Sequence, residues 1–453
     1  MALRALKTGL LAGALLALAG CATFSGDAGQ AGVRQLVQER GGPAQSAPRA
    51  CASQCAQQVA TLLAQPLSAD NAVAIAMLNN RTLQAGYAQL GIAEADLVQA
   101  GRLPNPALSF ARLKNGEGVE IERKLMLPVL SLLTMPLTRA LEQRRFEQAQ
   151  MRAAADVLRV ADETRRAWYA AVAAQQGAHY MEQVRSAAEA STELARRMLA
   201  AGNWSALQQA REQAFLADAI NQLARARQLH VAEREKLVRL MGLSGEQLHF
   251  TLPERLPDLP ATPRVIKDAE AQAMANRLDI LMAQKELAGL ASSLGLTRAT
   301  RFVDLLDLSY LNNSAAGGER ARGYEIALQI PLFDFGGARV AGAQARYMEA
   351  VQRAGAAAIG ARSQVREAYA SYRSAYDIAR HHQDEIVPLK KRISDEQLLR
   401  YNGMLISVFE LLADAREQVG SVNAAIEAQR DFWIADSALQ AAMTGAARNT
   451  DKE

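Results

Sequence analysis

The sequence predicts a mainly α chain with a small β part, arranged as a two-fold internal repeat of long helices and β-hairpins. Three observations predict it. From Leu137 to Ala201 there is no proline and Gly177 is the one glycine, so a continuous helix there would run about 95 Å at 1.5 Å per residue. Ordinary globular helices are several times shorter. Around "KNGEG" (114–118) and "SAAGGERARG" (314–323), short stretches alternate apolar and polar residues on either side of turn-forming sequence, as hairpins do. The order helix, hairpin, very long helix, tight turn, long helix then occurs twice.

The 453 residues suffice for two or three ordinary domains or one elongated one. Aromatic residues are only 5% and alanine dominates the apolar set, which suits helices packed closely side by side and not a wide core of large side chains. The net charge of +4 owes two of its charges to Arg4 and Lys7; the rest is nearly balanced and gives no case for a nucleic-acid partner.

Residues 1–20 read as an export signal, with Arg4 and Lys7 as its positive region and "LLAGALLALAG" (10–20) as its apolar one. That apolar run is too short to span a bilayer, which needs ~20 residues. "LAGC" (18–21) looks like the bacterial lipoprotein box, in which Cys21 is lipidated and becomes the mature N-terminus; the alternative is ordinary cleavage after Ala19. Ala22 in the next position favours the outer membrane, by resemblance to sorted lipoproteins. Residues 21–67, rich in Gly, Ala, Gln, Ser and Pro, read as a mostly irregular, lipidated tether. Within it Cys51 and Cys55 are a candidate disulfide, with idle thiols or a Cys-x3-Cys metal site as alternatives; no histidine lies nearby, so no metal is assigned.

The first repeat, 68–242, opens on a helix over 68–103 with Ser68 or Asp70 as N-cap. The prolines of "PNPALSF" stop it, because proline cannot continue the ladder. A hairpin follows, returning over 119–127. After Pro136 the long helix runs to the reversal "AGNW" (201–204), and a second long helix returns through Leu240. Residues 243–264 are a proline-rich connector. The second repeat, 265–445, has a helix over 268–296, with Asn276-Arg277 answering Asn80-Arg81. Its strands are expected at 303–313 and 324–333. Its long helix runs from about Gly337 to Asn402, kinked at Pro388. The reversal "NGMLIS" (402–407) and a return helix over 411–443 complete it, and 446–453 form a tail.

In 324–332, Tyr324, Ile326, Leu328, Ile330 and Leu332 alternate with Glu325, Ala327, Gln329 and Pro331. One face is therefore apolar, as in a barrel wall between lipid and water, or as in a hairpin packed on a soluble core. In 119–127 Arg123 interrupts the apolar face. Membrane strands must close, and two hairpins cannot close a barrel alone, so the membrane reading requires several chains.

With these features on the page, the chain resembles the TolC-like outer-membrane factors (the outer membrane efflux protein family), of the lipoprotein type. The resemblance covers about 68–445 and is carried by "LNNRTLQAGYAQLGIAEADLVQAGRLPNPALSF" (78–110), "IALQIPLFDFGGARVAGAQA" (326–345) and "RYNGMLISVFELLADAREQ" (400–418). It implies a homotrimer, with a helical tunnel through the periplasm capped by a 12-stranded transmembrane β-barrel. It implies adaptor-contact tips at Gly202, Ser205, Gly403 and Ser407. It places Glu410 and Asp414 near acidic gate residues, a match that requires a one-residue insertion after Gly403, with Gln208 and Glu212 in the corresponding places of the first repeat. It makes Pro331, Phe333, Gly336 and Gly337 a strand-to-helix joint, with Asp334 able to cap the helix that follows. The first repeat lacks the glycine pair there, and 127–145 is longer and more apolar.

The function expected is a passive outer-membrane exit duct of a tripartite efflux system, docked to a periplasmic adaptor (membrane fusion) protein and an inner-membrane pump, with outer-membrane lipid around it. No catalysis and no cofactor are implied. The rival readings are a coiled-coil spacer lipoprotein without a channel, which leaves the hairpins unexplained, and an enzyme using Asp334-Phe335-Gly336. Neither a Gly-x4-Gly-Lys-Ser/Thr loop nor a His-Arg-Asp motif accompanies that triplet. Thirteen methionines and His381-His382 suggest heavy-metal ions as cargo, beside other small toxic molecules. Adjacent histidines on a helix point about 100° apart and do not form a natural two-ligand site.

Overall fold

Side-chain caps and left-handed residues set most helix ends in this chain. The computed structural model describes residues 23–43, 52–115, 118–300, 302, 305–315, 318, 320–329 and 332–446. The export signal, Cys21, Cys51, Ile330 and Pro331 lie outside the described residues.

The N-terminal stretch carries two helices where an irregular tether is expected, α1 (Gln30–Gln38) and α2 (Ala52–Leu63). The reason is a spacing of four between buried apolar residues: Val33 and Val37 in α1, Cys55 and Val59 in α2. The expected single helix over 68–103 is two, α3 (Ala69–Asn79) and α4 (Arg81–Ala100). Ser68 is the N-cap of α3, its side chain accepting from Asn71 N. Asn80 breaks the run with an extended backbone, and its side chain accepts from Leu83 N and donates to Leu240 O at 2.8 Å.

Strands β1 (Ala107–Asn115) and β2 (Gly118–Pro128) form the first hairpin. Helix α5 (Val129–Ala200) follows β2 at once and runs for 72 residues. Pro136, expected to precede the long helix, lies inside it. Helix α6 (Ala206–Met241) ends at Gly242, which is left-handed with φ +66°. The second repeat continues with α7 (Ala269–Asn276), α8 (Leu278–Ala299), β3 (Leu306–Ser314) and β4 (Arg320–Leu328). β4 begins earlier and ends sooner than expected: Arg320–Gly323, read as turn, pair with Ser314–Leu311 of β3. Helix α9 (Gly337–His381) passes through a π-helical turn (His382–Ile386) into α10 (Val387–Asn402). That turn is how Pro388 is accommodated: Val387 N reaches back five residues to His382 O, just ahead of the proline that can donate nothing. Helix α11 (Val408–Thr444) ends at Gly445, left-handed with φ +78°.

The chain falls into two compact units, each drawing on both repeats. One takes the described residues of 1–33, 87–153 and 280–357; the other takes those of 34–86, 154–279 and 358–453. In the second unit the core gathers Val59, Leu67, Ile75, Trp168, Leu237 and Met241 with Phe250, Leu252 and Leu256 of the connector. A backbone bond ties the connector to the segment before α3, Leu67 N donating to Thr251 O at 2.9 Å, and the side chain of Trp168 in α5 donates from Nε1 to Leu67 O at 2.7 Å.

The first unit holds one antiparallel sheet in the order β1-β2-β3-β4, so the two hairpins join along the β2–β3 seam. The register sorts the side chains. Leu108, Leu125, Tyr310 and Tyr324 form one cross-strand row, and Leu127, Leu308 and Ile326 the next. These seven side chains are all exposed. Arg123 lies on their face, opposite Phe110. The other face carries Glu120, Glu122, Lys124, Asp307 and Glu325, with Lys124 and Glu325 ion-paired at 2.5 Å. Among the described residues, one ladder edge of β1 and one of β4 have no strand partner.

Candidate functional site

Two helical reversals join α5 to α6 and α10 to α11, and the same backbone pattern builds both. In the first, Gly202 N donates to Leu199 O at 3.0 Å and Asn203 N to Met198 O at 2.9 Å. In the second, Met404 N donates to Tyr401 O and Leu405 N to Arg400 O, each at 2.9 Å. The reversing residue is left-handed in each, Gly202 at φ +77° and Met404 at φ +59°. Gly403 is not, at φ −81°. The inserted residue of the second reversal therefore moves the left-handed position off Gly403 onto a methionine, and Met404 is the residue that sequence reasoning missed. Each left-handed residue precedes a capping serine by three positions, Ser205 in one turn and Ser407 in the other.

Both serines make full capping boxes. Ser205 accepts from Gln208 N while the Gln208 side chain accepts from Ser205 N at 2.8 Å. Ser407 and Glu410 repeat the arrangement, so Glu410, placed by resemblance near a gate, is exposed and holds the start of α11. Ser-x-x-Gln and Ser-x-x-Glu were legible signals for these boxes.

One turn further on, the two repeats diverge. Glu212 is fully buried; Ser191 Oγ donates to its Oε2 at 2.6 Å, and Arg416 of α11 pairs with its Oε1. The Arg416 guanidinium also lies 4.5 Å from the centre of the Phe215 ring. Asp414, in the corresponding place of α11, is half-buried, and its Oδ2 has no hydrogen-bond partner among the described residues. The structure thus joins Glu212 to Arg416 and leaves Glu410 and Asp414 apart from that pair.

At the strand-to-helix passage, Gly336 is buried and left-handed at φ +72°. Asp334 does not cap α9: its Oδ1 accepts from Gly336 N at 2.8 Å, closing a turn before the helix opens at Gly337. Phe333 is 98% exposed. Cys55 is buried and disulfide-bonded, and the other two cysteines of the sequence lie outside the described residues. His381 Nδ1 faces Glu385 at 3.3 Å, and no cluster of three or more His, Cys, Asp or Glu fit to hold a metal occurs among the described residues. No described helix is long and apolar enough to cross a membrane.

No protein-family model matches the chain, and no curated protein does. Solved structures do. The Campylobacter jejuni CmeC outer membrane channel is similar at a TM-score of 0.73 and 17% identity, over 85% of this chain and 87% of that one. CusC is similar at 0.69 and 15% identity, over 86% and 92%. The Neisseria gonorrhoeae MtrE outer membrane channel, in its open state, is similar at 0.69 and 17% identity, over 85% and 91%. At these identities the likeness is one of fold. Paired reversals, a four-stranded sheet seamed between repeats and this likeness along most of the length converge: the chain has the fold of a TolC-like outer-membrane factor.

Proposed function

We propose that this protein is the outer-membrane exit duct of a tripartite efflux system, a passive channel assembled from three copies. The observation that carries the reading is the sheet: four strands whose two outer edges are unpaired among the described residues, and an exposed face of leucines, isoleucine and tyrosines. Such strands are stable in lipid only when closed, and three copies give a 12-stranded barrel. The solved structures it resembles are described as outer membrane channels, which agrees with this reading.

In this reading Cys21 anchors the chain by lipid in the bacterial outer membrane, a Cys51–Cys55 disulfide staples the tether, and the long helices form the periplasmic tunnel. The reversals at Gly202–Ser205 and Gly403–Ser407 meet the adaptor protein, which links to an inner-membrane pump. The exposed Met404 and Leu405 supply apolar surface for that contact. Glu410 and Asp414 ring the aperture in the trimer. Pro331, Phe333, Gly336 and Gly337 form the joint between barrel strand and tunnel helix, Gly336 through its left-handed backbone. The acidic face of the sheet lines the lumen, and its carboxylates favour cationic cargo, heavy-metal ions among small toxic molecules.

The test is conductance of the purified protein in planar bilayers, together with trimers that resist heat on a gel. Pores from a trimer are expected; a chain that forms no pores is a spacer and ends this reading.

A further inference from the structure

We propose that the exposed face of the sheet, at its hairpin-turn end, binds the phosphate groups of an anionic membrane lipid through Arg112, Arg123, Arg320 and Arg322. The inference rests on the reading of this sheet as a barrel wall.

The register places these arginines together. Beyond the row Leu108–Leu125–Tyr310–Tyr324, two residues nearer the turns, stand the pairs Phe110–Arg123 and Asn312–Arg322. Two residues further on stands the row Arg112–Ile121–Ser314–Arg320. With strands about 4.8 Å apart and a rise of about 3.4 Å per residue, the four arginine backbones fall in a patch about 15 Å wide and 7 Å high. All four side chains are exposed.

Charge is segregated across the sheet. No aspartate or glutamate of the four strands falls on this face; Glu120, Glu122, Asp307 and Glu325 all point to the other. Among the described residues, none of the four arginines has an ion-pair partner. The exposed side chains toward the helices are apolar instead, Leu308, Ile326, Leu328, Leu332 and Phe333. Between the two zones sit Tyr310 and Tyr324, with ring centres 5.8 Å apart. Tyrosines of this kind mark the level where hydrocarbon gives way to headgroups. Four cations just beyond that level, without counter-ions on their own face, call for anions supplied by the lipid. Phosphate suits them, because the planar guanidinium offers two parallel donors to its oxygens.

The test uses the assembled full chain in detergent, with diphosphoryl lipid A and the same lipid stripped of its phosphates as probes, and native mass spectrometry as readout. Pore formation by the wild type is checked first, so that failure of the barrel reading shows before lipid is added. The wild type is expected to bind the phosphorylated lipid more tightly than the stripped one. The variant carrying Arg112→Gln, Arg123→Gln, Arg320→Gln and Arg322→Gln is expected to lose about tenfold or more of the phosphorylated-lipid affinity and to keep its affinity for the stripped lipid. Replacing the same four by lysine should restore part of the binding. If the fourfold variant forms no pores, Arg112→Gln and Arg322→Gln are read singly, each expected to weaken binding by about threefold. Equal binding of both lipids by the wild type, unchanged binding by pore-forming variants, or displacement of the lipid by millimolar inorganic phosphate would overturn the proposal.

Discussion

At the first reversal the left-handed residue is Gly202, and at the second it is Met404. The reversing hydrogen bonds correspond, Gly202 N and Asn203 N at the first with Met404 N and Leu405 N at the second, as do the capping serines. A left-handed backbone costs an L side chain about 1–2 kcal/mol, which glycine does not bear. The second reversal carries that strain and in return displays Met404 and Leu405, 93% and 78% exposed. Corresponding reversing bonds with unequal strain teach that the geometry of the turn is what both repeats keep, while the side chains shown at its tip are free to differ.

The opposite ends of the same helix pairs make a second comparison. Gly242 ends α6 against the break between α3 and α4, and Gly445 ends α11 against the break between α7 and α8. In each repeat the residue at the break reaches back to the end of the return helix. Asn80 donates to Leu240 O, and Arg277 donates to Ala442 O at 2.8 Å. Both are the C-caps of their short helices. The structural partner of Asn80 is thus Arg277, one residue along from the correspondence in the sequence. Arg277 is 1% exposed and is also held by Asp279 and Gln364. The second repeat spends a charge where the first uses an amide, and a cation at a helix C-terminus is favoured.

Four pairs of substitutions press on these contrasts. Arg277→Ala removes a donor from Asp279, Gln364 and a helix end, and should cost about 3–5 kcal/mol; Asn80→Ala should cost about 1–2 kcal/mol. Chemical unfolding of the two variants side by side reads the difference, and equal losses would mean that the charge adds nothing. Next is Gly242→Ala. A Cβ there would stand 2.6 Å from Asn79 O, a backbone atom, in a left-handed residue. At Gly445 the nearest atom, also at 2.6 Å, belongs to a side chain, the Asp279 carboxylate, and the nearest backbone atom is Leu278 N at 3.1 Å. Gly242→Ala should therefore lower the unfolding midpoint further than Gly445→Ala, by roughly 1 kcal/mol in stability. Smaller still, Met404→Gly should gain about 1 kcal/mol while Gly202→Ala loses about as much. If Met404→Gly also weakens capture of the proposed adaptor protein, the exposed methionine is there for contact. The smallest expected effect is Ser407→Ala, a loss of about 0.5 kcal/mol that Ser205→Ala should match, since the two boxes are alike.

The sequence showed the long helices, the repeat and the hairpins, because absent prolines and alternating apolar residues are local signals. It did not show that Pro136 lies within a helix or that Pro388 is absorbed by a π-helical turn, since both depend on how neighbouring turns adjust. It placed β4 too late, because Arg320–Gly323 read as turn chemistry and were drawn into the strand by pairing with β3. The capping boxes were legible in Ser205–Gln208 and Ser407–Glu410. The Glu212–Arg416 pair was not, because it joins residues far apart in the chain that only the packing of α6 against α11 brings together.

The seam of the sheet has a further consequence for how a copy of this protein comes into being. Strand β2 ends at Pro128 and β3 begins at Leu306, whereas each hairpin closes over a few residues. Hairpins form in about 1–10 μs, and contacts distant in sequence wait on the closure of a long loop. Each hairpin can therefore form within its own repeat, but the sheet stays in two pieces until the second repeat has been made. The sheet of one chain has a built-in last step, the docking of one ribbon on another, and a chain nicked in the connector would still own both ribbons.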